Sequence, residues 1–249
     1  MYYDQDGFGA RFEWGEEGVR RMAGRADVVV VVDVLSFGTA VDIAVERGAT
    51  VFPYRWRGEA AEAYAVELGA VLAVGRSHVD ADHPYSLSPQ TLQRIPPGTR
   101  LVLPSPNGAA LAVAAAEAGA VVLAGCLRNA AATAEAARAL GERVLVIAVG
   151  ERWEGGSGPP RPAVEDLIGA GAILARLPSL APSPEARAAI AAFREAAEDM
   201  PAFLGGCVSG RELAEDGFGQ DVELAALLDI SDAAPTLVAG AFTRAPERA

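Results

Sequence analysis

The chain has 249 residues, 51% hydrophobic and 22% charged, with a mean hydropathy of +0.20. These values exclude a disordered chain, and no apolar run is long enough to span a bilayer. A net charge of −12 without any basic cluster excludes a nucleic-acid-binding face.

The residue types that are missing narrow the chemistry further. All 21 basic residues are arginine, so Schiff-base chemistry and a lysine-bearing phosphate loop are excluded. His78 and His83, both in one polar loop, are the only histidines, which rules out a histidine-rich metal site. A Ser-His-Asp triad would have to use one of them. Cys126 and Cys207 are too few for a disulfide framework. Neither starts a thiol-phosphatase loop, because the sixth residue onward is Ala132 or Leu213 where arginine is required. Carboxylates, amides, hydroxyls and guanidiniums remain. That palette suits Mg²⁺ and a phosphate-bearing ligand. Met1 to Asp6 lack the basic and apolar regions of a signal peptide, so a cytoplasmic location is expected.

In chain order, a first strand is expected over residues 8–14. Val28 to Val32 follow, five consecutive valines that read as a strand buried on both faces. Asp33 stands at its end, where ligands of open α/β sheets bind. A charge in that position is costly unless a metal or a helix N-terminus offsets it. Capping of the helix near Phe37 is the simpler role, although Ser36 is better placed to cap. A helix over 39–47, a strand over 49–53, a helix over 58–68 and a strand over 70–74 come next. A polar stretch over 75–97 holds Arg76, both histidines and Ser88-Pro89. The alternation resumes with strands over 100–103, 120–123 and 143–149 and helices over 107–118 and 129–140. Residues 150–162 read as a Gly/Pro-rich loop. Helices over 163–176, 184–198 and 201–205 follow, then one over 211–228 broken at 217–219. A closing strand is expected over 236–242. The pattern predicts a three-layer α/β/α fold with a mostly parallel sheet and a helical elaboration in the C-terminal part. One compact unit is expected, with 150–160 as the place for any lobe boundary.

Polar groups gather at the strand ends. In Ser105-Pro106-Asn107-Gly108, Asn107 is suited to cap the following helix and Gly108 to let a ligand approach the backbone. Arg128-Asn129 is a similar, weaker site. Glu151 and Arg152 pair a metal-ligating acid with a phosphate-binding base. Glu165 and Asp166 lie in the first turn of a helix, where acids commonly complement the dipole. Gly169-Ala170-Gly171 lacks a third glycine and is read as a close-packing device inside that helix.

Val32-Asp33-Val34-Leu35, Ser88-Pro89, Ser105-Pro106-Asn107-Gly108, Gly150-Glu151-Arg152 and Glu165-Asp166-Leu167-Ile168-Gly169-Ala170-Gly171 stand in a particular order and spacing. With Ser209-Gly210-Arg211-Glu212-Leu213 and Asp221-Val222, they resemble the 2-phosphosulfolactate phosphatase family over about residues 26–240. The resemblance implies Mg²⁺-dependent hydrolysis of 2-phospho-3-sulfolactate to sulfolactate and phosphate, a step toward coenzyme M. Many members carry arginine and threonines where this chain has Ser36-Phe37-Gly38-Thr39. They often have asparagine at Leu87 and Thr-Arg at Ala109-Ala110.

The expected machinery is Asp33, Glu151 and Arg152 as catalytic residues, with Asp33, Glu151, Glu165 and Asp166 around Mg²⁺. Expected substrate contacts are Ser36, Thr39, Arg76, Ser88, Ser105, Asn107, Gly108, Arg128 and Asn129. The expected partner is a small phosphomonoester, without nucleic acid or membrane, and the expected assembly is a homodimer. The alternative is a family member with weakened catalysis that binds a phosphate ligand or regulates.

Overall fold

The computed structural model describes residues 2–153 and 158–244. Residues 154–157 of the expected 150–162 loop lie outside the described residues. In chain order the first elements are β1 (Ala10–Trp14), α1 (Gly15–Met22), β2 (Val28–Val32), α2 (Phe37–Glu46), β3 (Thr50–Tyr54) and α3 (Glu59–Leu68). There follow β4 (Val71–Leu72), α4 (Pro89–Leu92), β5 (Arg100–Pro104), α5 (Gly108–Glu117), β6 (Val121–Gly125), α6 (Ala130–Leu140) and β7 (Val144–Ala148). A short hairpin comes next, β8 (Glu151–Arg152) with β9 (Pro160–Arg161). Five helices follow: α7 (Val164–Leu174), α8 (Pro184–Ala196), α9 (Met200–Gly206), α10 (Val208–Glu215) and α11 (Gly219–Ala225). The strands β10 (Pro235–Val238) and β11 (Ala241–Arg244) complete the set.

The valines of β2 are all fully buried, because each face of the strand meets a helical layer. Val28, Val30 and Val32 pack with α6, α7 and α8 residues such as Ala134, Ile168 and Ile190. Val29 and Val31 pack with α1, α2 and α5 residues such as Met22, Val41 and Ala112. Period-two alternation thus feeds both layers, and each buried valine contributes about 1.5–3 kcal/mol relative to exposure. The result is the expected three-layer α/β/α arrangement around a mostly parallel sheet.

The nine strands lie in the order β1-β7-β2-β6-β10-β11-β3-β5-β4. The β1-β7-β2-β6 block is parallel throughout, and so is the β3-β5-β4 block. The β10–β11 hairpin joins them by antiparallel contacts on both sides, Thr236 opposite Leu123 and Phe242 opposite Val51. Residues 235–244 therefore form two strands where one was expected over 236–242. The turn is Ala239-Gly240, both at positive φ (48° and 85°). A two-residue turn of this kind matches the strand twist, but Ala-Gly does not announce it as Asn-Gly would.

Gly171 behaves as the sequence suggested. A Cβ there would come within 2.1 Å of the Ala189 carbonyl oxygen, so glycine is what lets α7 and α8 touch. Helix α1, which was not expected, is an amphipathic helix of eight residues, about two turns, that buries Val19 and Met22.

Candidate active site

The carboxyl ends of β2, β5 and β7 deliver Asp33, Ser105 and Glu151 to one cleft of about 360 Å³. Ser36, Arg76, Asn107 and Arg152 also line it. Seven of the expected site residues therefore share a single space. β5 reaches it although it belongs to the other parallel block.

Asp33 does two things at once. Its Oδ1 accepts the Phe37 N–H at 3.1 Å and so caps α2, while Ser36 makes no capping bond. Oδ2 lies on the α5 side, where a Cβ at position 108 would meet it at 2.6 Å. Gly108 is thus required for the approach of Asp33 and Phe37, not for that of a ligand. Burial, chiefly, and then the neighbouring Glu151 push the Asp33 carboxyl up to about 7; Glu165 adds to this, and the Phe37 N–H and Arg76 oppose it.

Asn107 was expected to cap α5 but makes no capping bond. Its Nδ2 instead donates to Glu151 Oε1 at 2.9 Å, and Ser105 Oγ accepts the Gly108 N–H at 3.1 Å. Glu151 Oε1 also accepts the Arg152 N–H at 2.8 Å, leaving Oε2 for other work. The Arg152 side chain donates to the Gly158 carbonyl across the β8–β9 hairpin at 3.3 Å.

Asp166 is fully engaged by backbone. Oδ1 accepts Val34 N–H and Oδ2 accepts Gly150 N–H, both at 2.8 Å. It ties the exits of β2 and β7 together. Burial and the charges of Asp33 and Glu165 push its carboxyl well up. Glu165 is buried, and the Cys207 thiol is pushed up to about 11 by burial and then by the charge of Glu165.

Other expected residues sit in the walls or elsewhere. Thr39 donates to the Val34 carbonyl at 2.8 Å and fixes the start of α2. Ser88 donates to Asp221 Oδ1 at 2.6 Å. Arg128 is buried, with Nε 2.8 Å from Asp42 and Nη2 3.3 Å from Glu46. Asn129 bonds the Cys126 N–H and the Ala124 carbonyl. Neither Arg128 nor Asn129 lines the cleft. Arg128 is drawn away to pair with Asp42, a buried carboxyl that would otherwise have no cation beside it.

The structure adds residues that sequence reading passed over. Arg57, Ser209, Glu212 and Asp216 line the cleft, and buried Asp221 faces Arg76 with 3.6 Å between Oδ2 and Nε. Arg76 Nη2 also donates to Ser36 Oγ at 2.8 Å. The signal for Arg57 was the one used for Asp33, a charge just beyond a strand. The signal for Ser209 and Glu212 was the 209–213 segment itself.

Among the described residues, no three His, Cys, Asp or Glu side chains group closely enough to chelate an ion. The free donors are Asp33 Oδ2 and Glu151 Oε2, two oxygens that face the same cleft. That set suits a hydrated Mg²⁺ completed by water and phosphate oxygens rather than an all-protein cage.

The fold is α/β with a polar cleft at its strand ends, and the family that the chain matches is one of phosphoric monoester hydrolases. The family described as 2-phosphosulpholactate phosphatase matches residues 16–240, and the chain belongs to that family. A comparison with curated proteins finds no match. No helix among the described residues is long and apolar enough to cross a membrane.

Proposed function

We propose that the chain hydrolyses 2-phospho-3-sulfolactate, or a close phosphorylated acid, to the hydroxy acid and phosphate in a Mg²⁺-dependent reaction. The observation that carries this reading is the convergence of Asp33 and Glu151 with Arg76 and Arg152 on one small cleft. Family membership supports the phosphatase activity itself.

Asp33 and Glu151 would hold the metal, which when bound polarises phosphoryl oxygens and orients a water for in-line attack. Asn107 and the Arg152 N–H fix one oxygen of Glu151, so its other oxygen is presented in a set direction. Arg152 supplies a forked cation for phosphoryl oxygens as charge shifts toward the leaving group. Asp166 holds the two acid-bearing strand ends at a fixed separation.

The test is phosphate release from 2-phospho-3-sulfolactate by the full chain, with and without Mg²⁺. Metal-dependent release is expected. No release from this ester, together with tight binding of it, would favour the binding-protein reading instead.

A further inference from the structure

A second and larger cavity of about 1180 Å³ adjoins the acidic cleft. The two share Arg57, Arg76, Leu87 and Asp216 as common wall. Two guanidiniums therefore stand where one space opens into the other.

Their surroundings differ. Arg76 is braced by Ser36, by buried Asp221 and by the Phe218 ring, 5.5 Å from its Cζ. Arg57 lies in the exposed loop between β3 and α3 and makes no hydrogen bond or ion pair with any described residue. Asp216 lines the same wall without pairing with it. The Arg76 guanidinium is held below the usual arginine value, mainly by burial, and the like charge of Arg57 adds to this against the pull of Asp221 and Asp33. Two cations face one opening, and only one has a carboxylate partner. A bound oxyanion would remove that repulsion and match the fork of each guanidinium.

We infer that Arg57 and Arg76 form the site for a second anion of the substrate, a sulfonate or carboxylate carried by the alcohol that leaves. The inference rests on the phosphatase reading for its choice of ligand. The phosphate sits toward Asp33 and Glu151, and the second anion sits at the opening. Arg57 is the specificity-determining residue, since Arg76 is already committed to Asp221.

The experiment compares Arg57→Ala and Arg57→Lys with the unaltered chain on phosphosulfolactate, phospholactate and ethyl phosphate. In Arg57→Ala the ratio of kcat/KM for phosphosulfolactate to that for ethyl phosphate is expected to fall at least about tenfold, mostly through KM. Arg57→Lys should recover part of it. A matching fall for phospholactate identifies the carboxylate as the bound group, and a fall for phosphosulfolactate alone identifies the sulfonate. An unchanged ratio overturns the inference. Calorimetric titration with sulfolactate reads the site without turnover: Arg57→Ala should weaken binding about tenfold. Equal binding by both proteins, or none by either, overturns it. If the calorimetric contrast holds while none of the three esters is hydrolysed, the anion site stands and the phosphatase reading falls.

Discussion

Asn107 Nδ2 lies 2.9 Å from Glu151 Oε1, a bond that joins the start of α5 to the end of β7 across 44 residues of sequence. It makes the acid's orientation depend on a neutral amide. Asn107→Ala should fold normally and lose about tenfold in kcat, because Glu151 is then free to turn. Asn107→Asp should lose more, since it places a further negative charge against Glu151. Steady-state kinetics beside a thermal melt checks this. An unchanged kcat in both variants would leave the bond without a role in catalysis.

The proposed metal dependence makes a direct prediction. Exhaustive chelation should abolish phosphate release, and added Mg²⁺ should restore it. Because Asp33 must ionise to bind, the apparent affinity for Mg²⁺ should weaken as pH falls below about 7. Titrating activity against free Mg²⁺ at several pH values measures this. Full activity after chelation would rule the metal out.

Asp33 also makes a prediction about stability. Its folded pKa is raised above the unfolded value of 3.8 to about 7, so the folded chain keeps a proton that the unfolded chain releases. Its contribution therefore favours folding at acid pH and is lost as pH rises through the window from about 4 to 7. Asp33→Asn should raise the metal-free Tm at pH 8, with the gain shrinking toward pH 4. Turnover should fall at least about 10²-fold. A melt series across pH, paired with kinetics, reads both. An unaltered rate would reduce Asp33 to the cap of α2.

Asp166 satisfies two backbone N–H groups inside the protein, Val34 and Gly150. Asp166→Ala orphans both, at about 1–3 kcal/mol each, and should lower Tm by roughly 5–15 °C. Asp166→Asn keeps one acceptor and should cost less. A calorimetric melt in which alanine is as stable as aspartate would contradict the bonding described.

Ala239 sits at a φ of 48° in the turn between β10 and β11, a region that costs an alanine about 1 kcal/mol or more. Ala239→Asn, which tolerates that conformation, should be stabilising by about 0.5–1 kcal/mol without touching activity. Denaturant titration can resolve this.

Much of the fold was legible because burial on two faces writes an unbroken apolar run, as in Val28 to Val32. The glycine punctuation after the helices marked the alternation. Asp33, Glu151 and Arg152 were legible as charges at strand ends. Other features depended on geometry that has no local signature. Asn107 was misread as a cap because the cap and the cross-cleft donor are the same residue type at the same position. Arg128 reads as a free cation until buried Asp42, 86 positions away, is placed beside it. Arg57 could not be brought to the cleft without knowing how the two parallel blocks are set against each other. The β10–β11 turn was hidden by its weak dipeptide.

The hairpin that joins the two blocks comes later in the chain than every other strand, yet it occupies the middle of the sheet. During synthesis the edges of β6 and β3 are both complete long before residue 235 emerges, and each is an open row of unpaired amides and carbonyls. The nascent molecule is then two half-sheets with facing raw edges, a state open to pairing with other chains. Its solubility in that interval depends on how soon the last ten described residues arrive to close the gap. A truncation before 235 would sever the sheet at its centre, whereas losses at the margin would only shorten it.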